Sequence, residues 1–306
     1  MTPNRWSDLE RPPLDATALR RALVRAHGAD APDESGADEG GERLWTSLDV
    51  VERTGSTNTD LAARAREEKL PEGAVLIAEE QTAGRGRLDR GWSAPPRSGL
   101  FVSVLLRPDV PQERWGWLPL LTGVAAATAL ARAAGVDTKL KWPNDLLIDV
   151  NGEERKLGGI LAERVEDGVV VGFGINVTLR EDELPVPTAG SLALAAARGT
   201  DRDPLLRAVL RSLEDWYGRW SAADGDPVSC RLLEAYAAGC ATLGRTVRAE
   251  LPGGDELVGE AVAVDGDGRL VLATAEGVQR PVSAADIVHL RASPDAGSQA
   301  GGAGEE

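Results

Sequence analysis

Two dipeptides, Asn151-Gly152 and Asp167-Gly168, constrain the fold of this chain more than any other feature. Asn-Gly and Asp-Gly supply the positive φ angles of tight two-residue hairpins, so each predicts a reversal between neighbouring strands. The apolar runs around them, residues 146–150, 157–165 and 169–173, are thereby joined into an antiparallel meander. A parallel dinucleotide-binding sheet is excluded on that ground. Gly172-Phe173-Gly174-Ile175-Asn176 has the opening of such a sheet's glycine signature, but the third glycine is missing and residues 178–187 offer no helix.

Elements on both sides extend the meander. Residues 44–53 read as a strand, and Gly55-Ser56-Thr57-Asn58 as a turn whose side chains can cap a helix through 61–68. Strands follow at 74–79 and 100–106, and a long helix at 115–134. Lys139-Leu140-Lys141-Trp142-Pro143-Asn144-Asp145 then reads as one strand interrupted by its proline and polar pair, resuming at 146–150. The helix at 204–222 carries Leu205, Leu206, Val209, Leu210, Leu213, Trp216, Tyr217 and Trp220 at amphipathic spacing, and another covers 229–238 before Gly239. Beyond Gly244 the apolar period changes from helical to two. Short strands at 246–250, 257–264, 270–274, 278–282 and 287–290, separated by glycine-rich turns, predict a small five-stranded barrel. The expected fold class is α+β: a mixed, largely antiparallel sheet with helices, followed by that barrel.

The ends differ in composition. A helix is expected at 15–26, then an acidic, small-residue stretch at 28–41 with the character of a disordered linker, and a disordered tail at 293–306. Four segments result: 1–43, 44–240, 241–292 and 293–306. The front segment is too short for a DNA-binding winged helix. Met1 to Pro13 lacks the apolar core of a secretory signal, and the uncharged run at 115–131 is short and weakly apolar for a membrane span, so a cytoplasmic protein without a membrane partner is expected. A net charge of −15 argues against general nucleic-acid affinity. Cys230 and Cys240 lack a CxxC context, and His27 and His289 stand alone, so neither a disulfide, a metal site nor a histidine triad is expected.

Chemistry concentrates in Gln81-Thr82-Ala83-Gly84-Arg85-Gly86-Arg87-Leu88-Asp89-Arg90-Gly91-Trp92. Between residues 84 and 97 stand Arg85, Arg87, Arg90 and Arg97 against the single acid Asp89, a local reversal of the chain's sign. The interleaved glycines let the backbone approach an anion and offer it amides, and Trp92 offers a flat surface for a ring. The alternative is a solvated basic loop, or one that binds nucleic acid without specificity. Lys156, beside Gly158 and Gly159, is either a solvated strand-end charge or a fixed cation for a carboxylate or phosphate.

Taken together, Gly55-Ser56-Thr57-Asn58, Gln81 through Arg87, Lys141-Trp142-Pro143-Asn144-Asp145, Lys156-Leu157-Gly158-Gly159-Ile160-Leu161-Ala162-Glu163 and Gly172-Phe173-Gly174-Ile175-Asn176-Val177 resemble, in order, the motifs of the biotin protein ligases. The barrel is similar to that family's SH3-like domain. The sheet, by the same resemblance, is the biotin/lipoate ligase fold, akin to class II synthetases. The resemblance implies ATP and biotin as substrates, Mg2+ as cofactor, and a biotin carboxyl carrier domain of an acyl-CoA carboxylase as partner, the ligase being a monomer or weak dimer. It implies a catalytic set of Lys156, Arg87 and Lys141. Biotin contacts fall on Ser56, Thr57, Asn58, Gln81, Gly84, Arg85, Arg87, Lys156 and Gly159. ATP contacts fall on Arg87, Arg90, Trp92, Asn144, Lys156 and Asn176. Two departures stand out: the family's repressor members carry an amino-terminal winged helix, and Leu88-Asp89 replaces a more basic continuation found in some members. Three rivals are a ligand sensor controlling transcription, an arginine-glycine RNA-binding module and a lipoate ligase. The first needs a DNA-binding fold ahead of residue 44, the second a basic surface, and the third another glycine-rich signature, which is absent.

Overall fold

The structure, a computed structural model, describes residues 10–24, 43–251, 253–283 and 285–290. The expected linker at 28–41, the expected tail at 293–306, residues 25 and 26 of the expected front helix and His27 lie outside the described residues; the described part of that helix ends at Leu23, with Val24 extended. In chain order the described elements are α1 (Ala16–Leu23), β1 (Ser47–Val51), α2 (Thr57–Glu67), β2 (Ala74–Ala78), β3 (Gly84–Arg85), β4 (Gly91–Trp92), β5 (Gly99–Leu106), α3 (Trp117–Ala133), β6 (Thr138–Lys141), β7 (Asp145–Val150), β8 (Glu153–Val165), β9 (Gly168–Asn176), α4 (Arg202–Ala222) and α5 (Leu232–Gly239). The remaining five are β10 (Thr246–Glu250), β11 (Glu256–Val264), β12 (Leu270–Ala273), β13 (Gln279–Val282) and β14 (Asp286–His289).

A seven-stranded sheet of order β1-β2-β5-β9-β8-β7-β6 forms the centre. Only β1 and β2 run parallel, Ser47 opposite Ala74; the other neighbours are antiparallel. Side-chain alternation divides the sheet into two faces. Val75, Ile77, Leu100, Val102, Val104, Val171, Phe173 and Ile175 enter the main core with α3 and α4. Ala74, Leu76, Leu105, Val165 and Val170 pack instead with Leu61, Ala62 and Ala65 of α2. Because α2 spans only part of that second face, the strands continue past its amino terminus without a helical cover. The site lies there.

The expected antiparallel meander β7-β8-β9 is present, with two corrections of detail. Asn151 (φ 55°) and Gly152 (φ 86°) form the first two-residue turn as expected. The second turn is Glu166-Asp167, since Val165 pairs with Gly168. Gly168 already belongs to β9, where a Cβ would overlap the Leu106 carbonyl oxygen. The segment at 139–150 is not one interrupted strand. Lys141 pairs with Asp145, so Trp142-Pro143-Asn144 closes a hairpin between β6 and β7, with a cis Trp142–Pro143 bond.

The front segment straps the sheet. Leu19 and Leu23 of α1 are buried, and Arg20 Nε donates to the Leu48 carbonyl at 2.6 Å, blunting the edge strand β1. Beneath the strap, Arg202 and Glu79 form a buried ion pair at 2.6 Å. The Leu14 amide donates to the same carboxylate at 2.7 Å, and Arg202 also donates to Pro12 O at 2.6 Å.

The five carboxy-terminal strands form an antiparallel sheet of order β13-β12-β11-β10-β14, in keeping with the expected small barrel. Its 265–268 turn abuts the central unit. Trp117 Nε1 donates to Gly266 O and Trp142 Nε1 to Gly268 O, both at 3.0 Å. The barrel therefore rests on the Trp142-Pro143-Asn144 turn.

Candidate active site

Glycine positions create the floor of the cleft. Gly159 of β8 pairs with Gly174 of β9, and Leu161 with Gly172, all on the face that α2 covers only in part. A Cβ at Gly172 would overlap the Asn58 side-chain oxygen, and one at Gly174 would come within 2.9 Å of the Trp92 indole. The Gly-Phe-Gly signature thus admits side chains from other elements rather than a dinucleotide. The resulting cleft, about 460 Å³, is lined in part by Ser56, Thr57, Gln81, Trp92, Lys156 and Gly159.

Lys156 reaches this face through a bulge. Leu147 pairs with Lys156 but Leu146 with Gly158, leaving Leu157 as an extra residue. Strict alternation would put residues 156 and 159 on opposite faces; the bulge restores them to one. Lys156 Nζ lies 2.6 Å from Asp145 Oδ1 and 5.9 Å from the Trp92 ring centroid. The ammonium is an ion-paired cation inside the cleft rather than a solvated strand end.

At the other end of the cleft, α2 begins without a cap from Ser56. Gln81 serves instead: its Oε1 accepts from the Thr57 amide at 2.8 Å and lies 3.1 Å from the Thr57 hydroxyl. Spacing suggested self-capping because Ser56 stands at the right position; the amide carbonyl from the next strand's exit wins. The arginine-glycine segment folds into a ribbon, Gly84 opposite Trp92 and Arg85 opposite Gly91. At its tip Leu88 is left-handed (φ 54°) and exposed. Arg85 donates to Glu163 Oε1 at 2.9 Å.

The barrel contributes to the same region. Asp286 forms an ion pair with Arg90, and the Ala285 carbonyl accepts from Arg87 NH1 at 3.2 Å. Arg87 and Asn144 border an adjoining cleft of about 1060 Å³. Arg90, Lys141, Asn144 and Asp145 border a further one of about 560 Å³ between the barrel and the β6-β7 hairpin. Burial lowers the pKa of the Lys141 ammonium, with Asp145 opposing and Lys156 adding to the effect. Burial also lowers the pKa of Arg87, opposed by Asp286 and Asp145. Four cations, Lys156, Arg87, Arg90 and Lys141, thus gather about three carboxylates, Asp145, Asp286 and Glu250. That excess suits a polyanion beside a carboxylate.

Most of the expected site residues converge here. Ser56, Thr57, Asn58, Gln81, Arg85, Trp92, Asn144, Lys156 and Gly159 line the first cleft. Gly84 lies under it, where a Cβ would come 2.5 Å from Trp92 O. Asn176 is not brought into the lining; it is buried, and its amide donates to Gly190 O at 3.0 Å. Sequence reasoning missed Ser103, Glu163 and Asp286. Glu163 closes a motif that had been quoted, whereas nothing local marks Ser103 or Asp286.

Two family descriptions match the chain: the biotin/lipoate A/B protein ligase family over residues 50–179 and the biotin protein ligase C terminal domain over residues 242–290. The biotin–[acetyl-CoA-carboxylase] ligase of Mycobacterium tuberculosis is 43% identical over 288 residues, covering 93% of this chain and 98% of that protein. The bifunctional ligase/repressor BirA of Bacillus spizizenii is 36% identical, covering 77% of this chain and 71% of its own length. Among solved structures, the biotin protein ligase from Aquifex aeolicus in complex with biotin and ATP superposes with a TM-score of 0.66 at 26% identity, covering 81% of this chain and all of that one.

Proposed function

The chain belongs to the biotin/lipoate A/B protein ligase family, and on that premise we propose how its cleft works as that of an ATP-dependent biotin protein ligase. Such a ligase forms biotinyl-5′-AMP and then transfers the biotinyl group to a lysine of a carrier protein. In the first step a biotin carboxylate oxygen attacks the α-phosphorus of ATP, the bond to the bridging oxygen of the β-phosphate breaks, and pyrophosphate leaves. In the second, the lysine amine attacks the acyl carbon, AMP leaves, and the amine gives up a proton.

Both steps bring anions together, so positioning and fixed positive charge dominate the requirement. The observation that carries the reading is Lys156, raised by its bulge between a hydrogen-bonding pocket and the cluster of Arg87, Arg90 and Lys141. Lys156 would bridge the biotin carboxylate and the α-phosphate. Ser56, Thr57, Gln81 and the Arg85 backbone would hold the ureido ring, which presents both donors and an acceptor. The glycine at 159 lets biotin lie against β8. Arg87, Arg90 and Asn144 would hold the nucleotide phosphates, and Trp92 the adenine side. Lys141 would stabilise the adenylate. Magnesium would arrive with ATP, held by phosphate oxygens and water. When bound it neutralises phosphate charge.

Residues 44–240 would form the biotin and ATP unit and residues 241–292 the barrel that closes on it. The acceptor would be a biotin carboxyl carrier domain of an acyl-CoA carboxylase. The ligase would be a cytoplasmic monomer or weak dimer without nucleic-acid or membrane partners. Among the described residues no helix is long and apolar enough to cross a membrane. The test is mass spectrometry of a carrier domain incubated with enzyme, biotin and MgATP. One biotinyl group on one lysine, absent without ATP, is expected; an unmodified domain would overturn the reading.

A further inference from the structure

A closed chain of polar side chains runs beneath the cleft and ends on a carboxylate that the reaction itself does not use. Arg85 NH1 donates to Glu163 Oε1 at 2.9 Å, and Asn58 Nδ2 donates to Glu163 Oε2, also at 2.9 Å. The Asn58 Oδ1 accepts from the Ser103 hydroxyl at 2.6 Å. The Ser103 and Thr57 hydroxyl oxygens lie 2.8 Å apart, and Thr57 reaches Gln81 Oε1 at 3.1 Å. Gln81 and Arg85 are the two ends of the segment that enters the arginine-glycine ribbon. The network therefore ties both ends of that segment to α2, β5 and β8.

Proton counting gives the chain a direction. An ionised carboxylate only accepts, so Glu163 draws the NH2 group of Asn58 toward itself and turns Oδ1 toward Ser103. The amide also donates to the Leu161 carbonyl at 3.1 Å, which fixes the same orientation. Ser103 has one hydroxyl proton and gives it to Asn58. The 2.8 Å contact with Ser103 then takes the Thr57 proton, which stays inside the network. Thr57 Oγ1 consequently faces the cleft as an acceptor. Ser103, Asn58 and Thr57 are all buried, so no bulk water competes to reverse this order.

We propose that Glu163 is a positioning residue for the biotin head group: it orients the Asn58–Ser103–Thr57 hydrogen bonds so that Thr57 accepts from a ureido N–H, and through Arg85 it fixes the ribbon backbone beside that ring. The proposal rests on the biotin reading of the cleft. It adds a reason why a carboxylate should stand at the cleft edge beneath an anionic ligand, where on charge alone it would be unfavourable. Neutral glutamine at 163 can present its one carbonyl to Arg85 or to Asn58 but not to both, and its NH2 group can also turn Asn58 around.

The experiment measures biotin binding calorimetrically without ATP, then biotin-dependent ATP–pyrophosphate exchange, for wild type, Glu163→Gln and Ser103→Ala. Biotin and desthiobiotin, which retains the ureido ring but lacks the thiophane, are compared. Glu163→Gln is expected to raise the Kd and KM for both ligands about tenfold while kcat changes less than about twofold. Ser103→Ala interrupts the chain at a second point and is expected to do the same. Combined with Arg85→Gln, Glu163→Gln should cost no more than the worse single change, because the two share one tie. Unchanged biotin affinity in both single variants, with wild-type melting, would overturn the proposal, as would a fall in kcat at constant KM. Absence of biotin binding by wild type would instead overturn the reading on which it rests.

Discussion

Replacement of Lys156 by alanine separates chemistry from folding. Its ammonium forms a 2.6 Å ion pair with Asp145, with 40% of the lysine side chain and 21% of the aspartate side chain exposed. An exposed or half-exposed pair contributes no more than about 1 kcal/mol to stability. For a domain of this size that corresponds to roughly 2–4 °C in Tm. In the proposed reaction the same charge would face an approaching carboxylate and a phosphate. A unit charge about 4 Å from its partner, at the effective dielectric of about 20 that suits protein sites, is worth about 4 kcal/mol. Lost from the transition state, that is roughly a 10³-fold fall in rate. Biotin-dependent ATP–pyrophosphate exchange and scanning calorimetry on the same preparation measure the two effects. Exchange down by about three orders of magnitude with a Tm within about 4 °C of wild type is expected. Exchange within tenfold of wild type would refute the role given to Lys156, and a Tm lower by more than about 10 °C would show that the charge serves the fold instead.

Three further outcomes follow from other parts of the molecule. Gly174→Ala would bring a Cβ to 2.9 Å from the Trp92 indole and push the ring off β9, so the KM for biotin and ATP should rise with little change in Tm; intrinsic tryptophan fluorescence checks the displacement. Arg202→Met leaves Glu79 buried without its cation, a loss of about 3–5 kcal/mol, read as a Tm lower by roughly 6–20 °C, and Glu79→Gln in the same chain should recover part of it. The neutral imidazole of His289 must accept at Nδ1 from Arg245, 3.1 Å away, so Nε2 carries the proton facing Thr242. Burial first, then the charges of Lys141 and Arg245, lower its pKa to about 4, with Glu154 opposing. The unfolded chain takes up that proton near pH 6.5 and the folded chain only near 4, so this contribution to stability is intact above about pH 6.5 and is lost as the pH falls toward 4. Thermal melts across that window should be flatter for His289→Gln.

Local signals in the sequence carried much of the sheet. Asn151-Gly152 is a turn wherever it occurs between apolar runs, and the meander follows from it. The helical stripe from Leu205 to Trp220 and the period-two strands after Gly244 were equally plain, with ends displaced by at most two residues. Pairings between distant segments were not legible. The parallel contact of β1 with β2 and the alignment of Gly99 with Asn176 depend on how the whole sheet assembles, which no local period encodes. Trp142-Pro143-Asn144 was misread because a proline between polar strands interrupts a strand or closes a hairpin with the same residues, and only the Lys141–Asp145 register distinguishes the two.

The site was legible as motifs but not as a geometry. Spacing left Lys156 open between a strand-end charge and a fixed cation and showed the arginine-glycine segment only as a loop, without the bulge that turns one toward the other. Ser103 sits in an apolar strand and Asp286 at the far end of the chain, so neither stands near a motif that would single it out. The glycines at 172 and 174 were visible as a signature, but their purpose depends on Asn58 and Trp92, which arrive from elsewhere.

Pyrophosphate release with MgATP, run with biotin, with lipoate and with neither, tests the central claim most directly. Release that requires biotin and ignores lipoate is the predicted result. Release driven by lipoate, or none with biotin, would contradict the account of this cleft as a biotin-activating site.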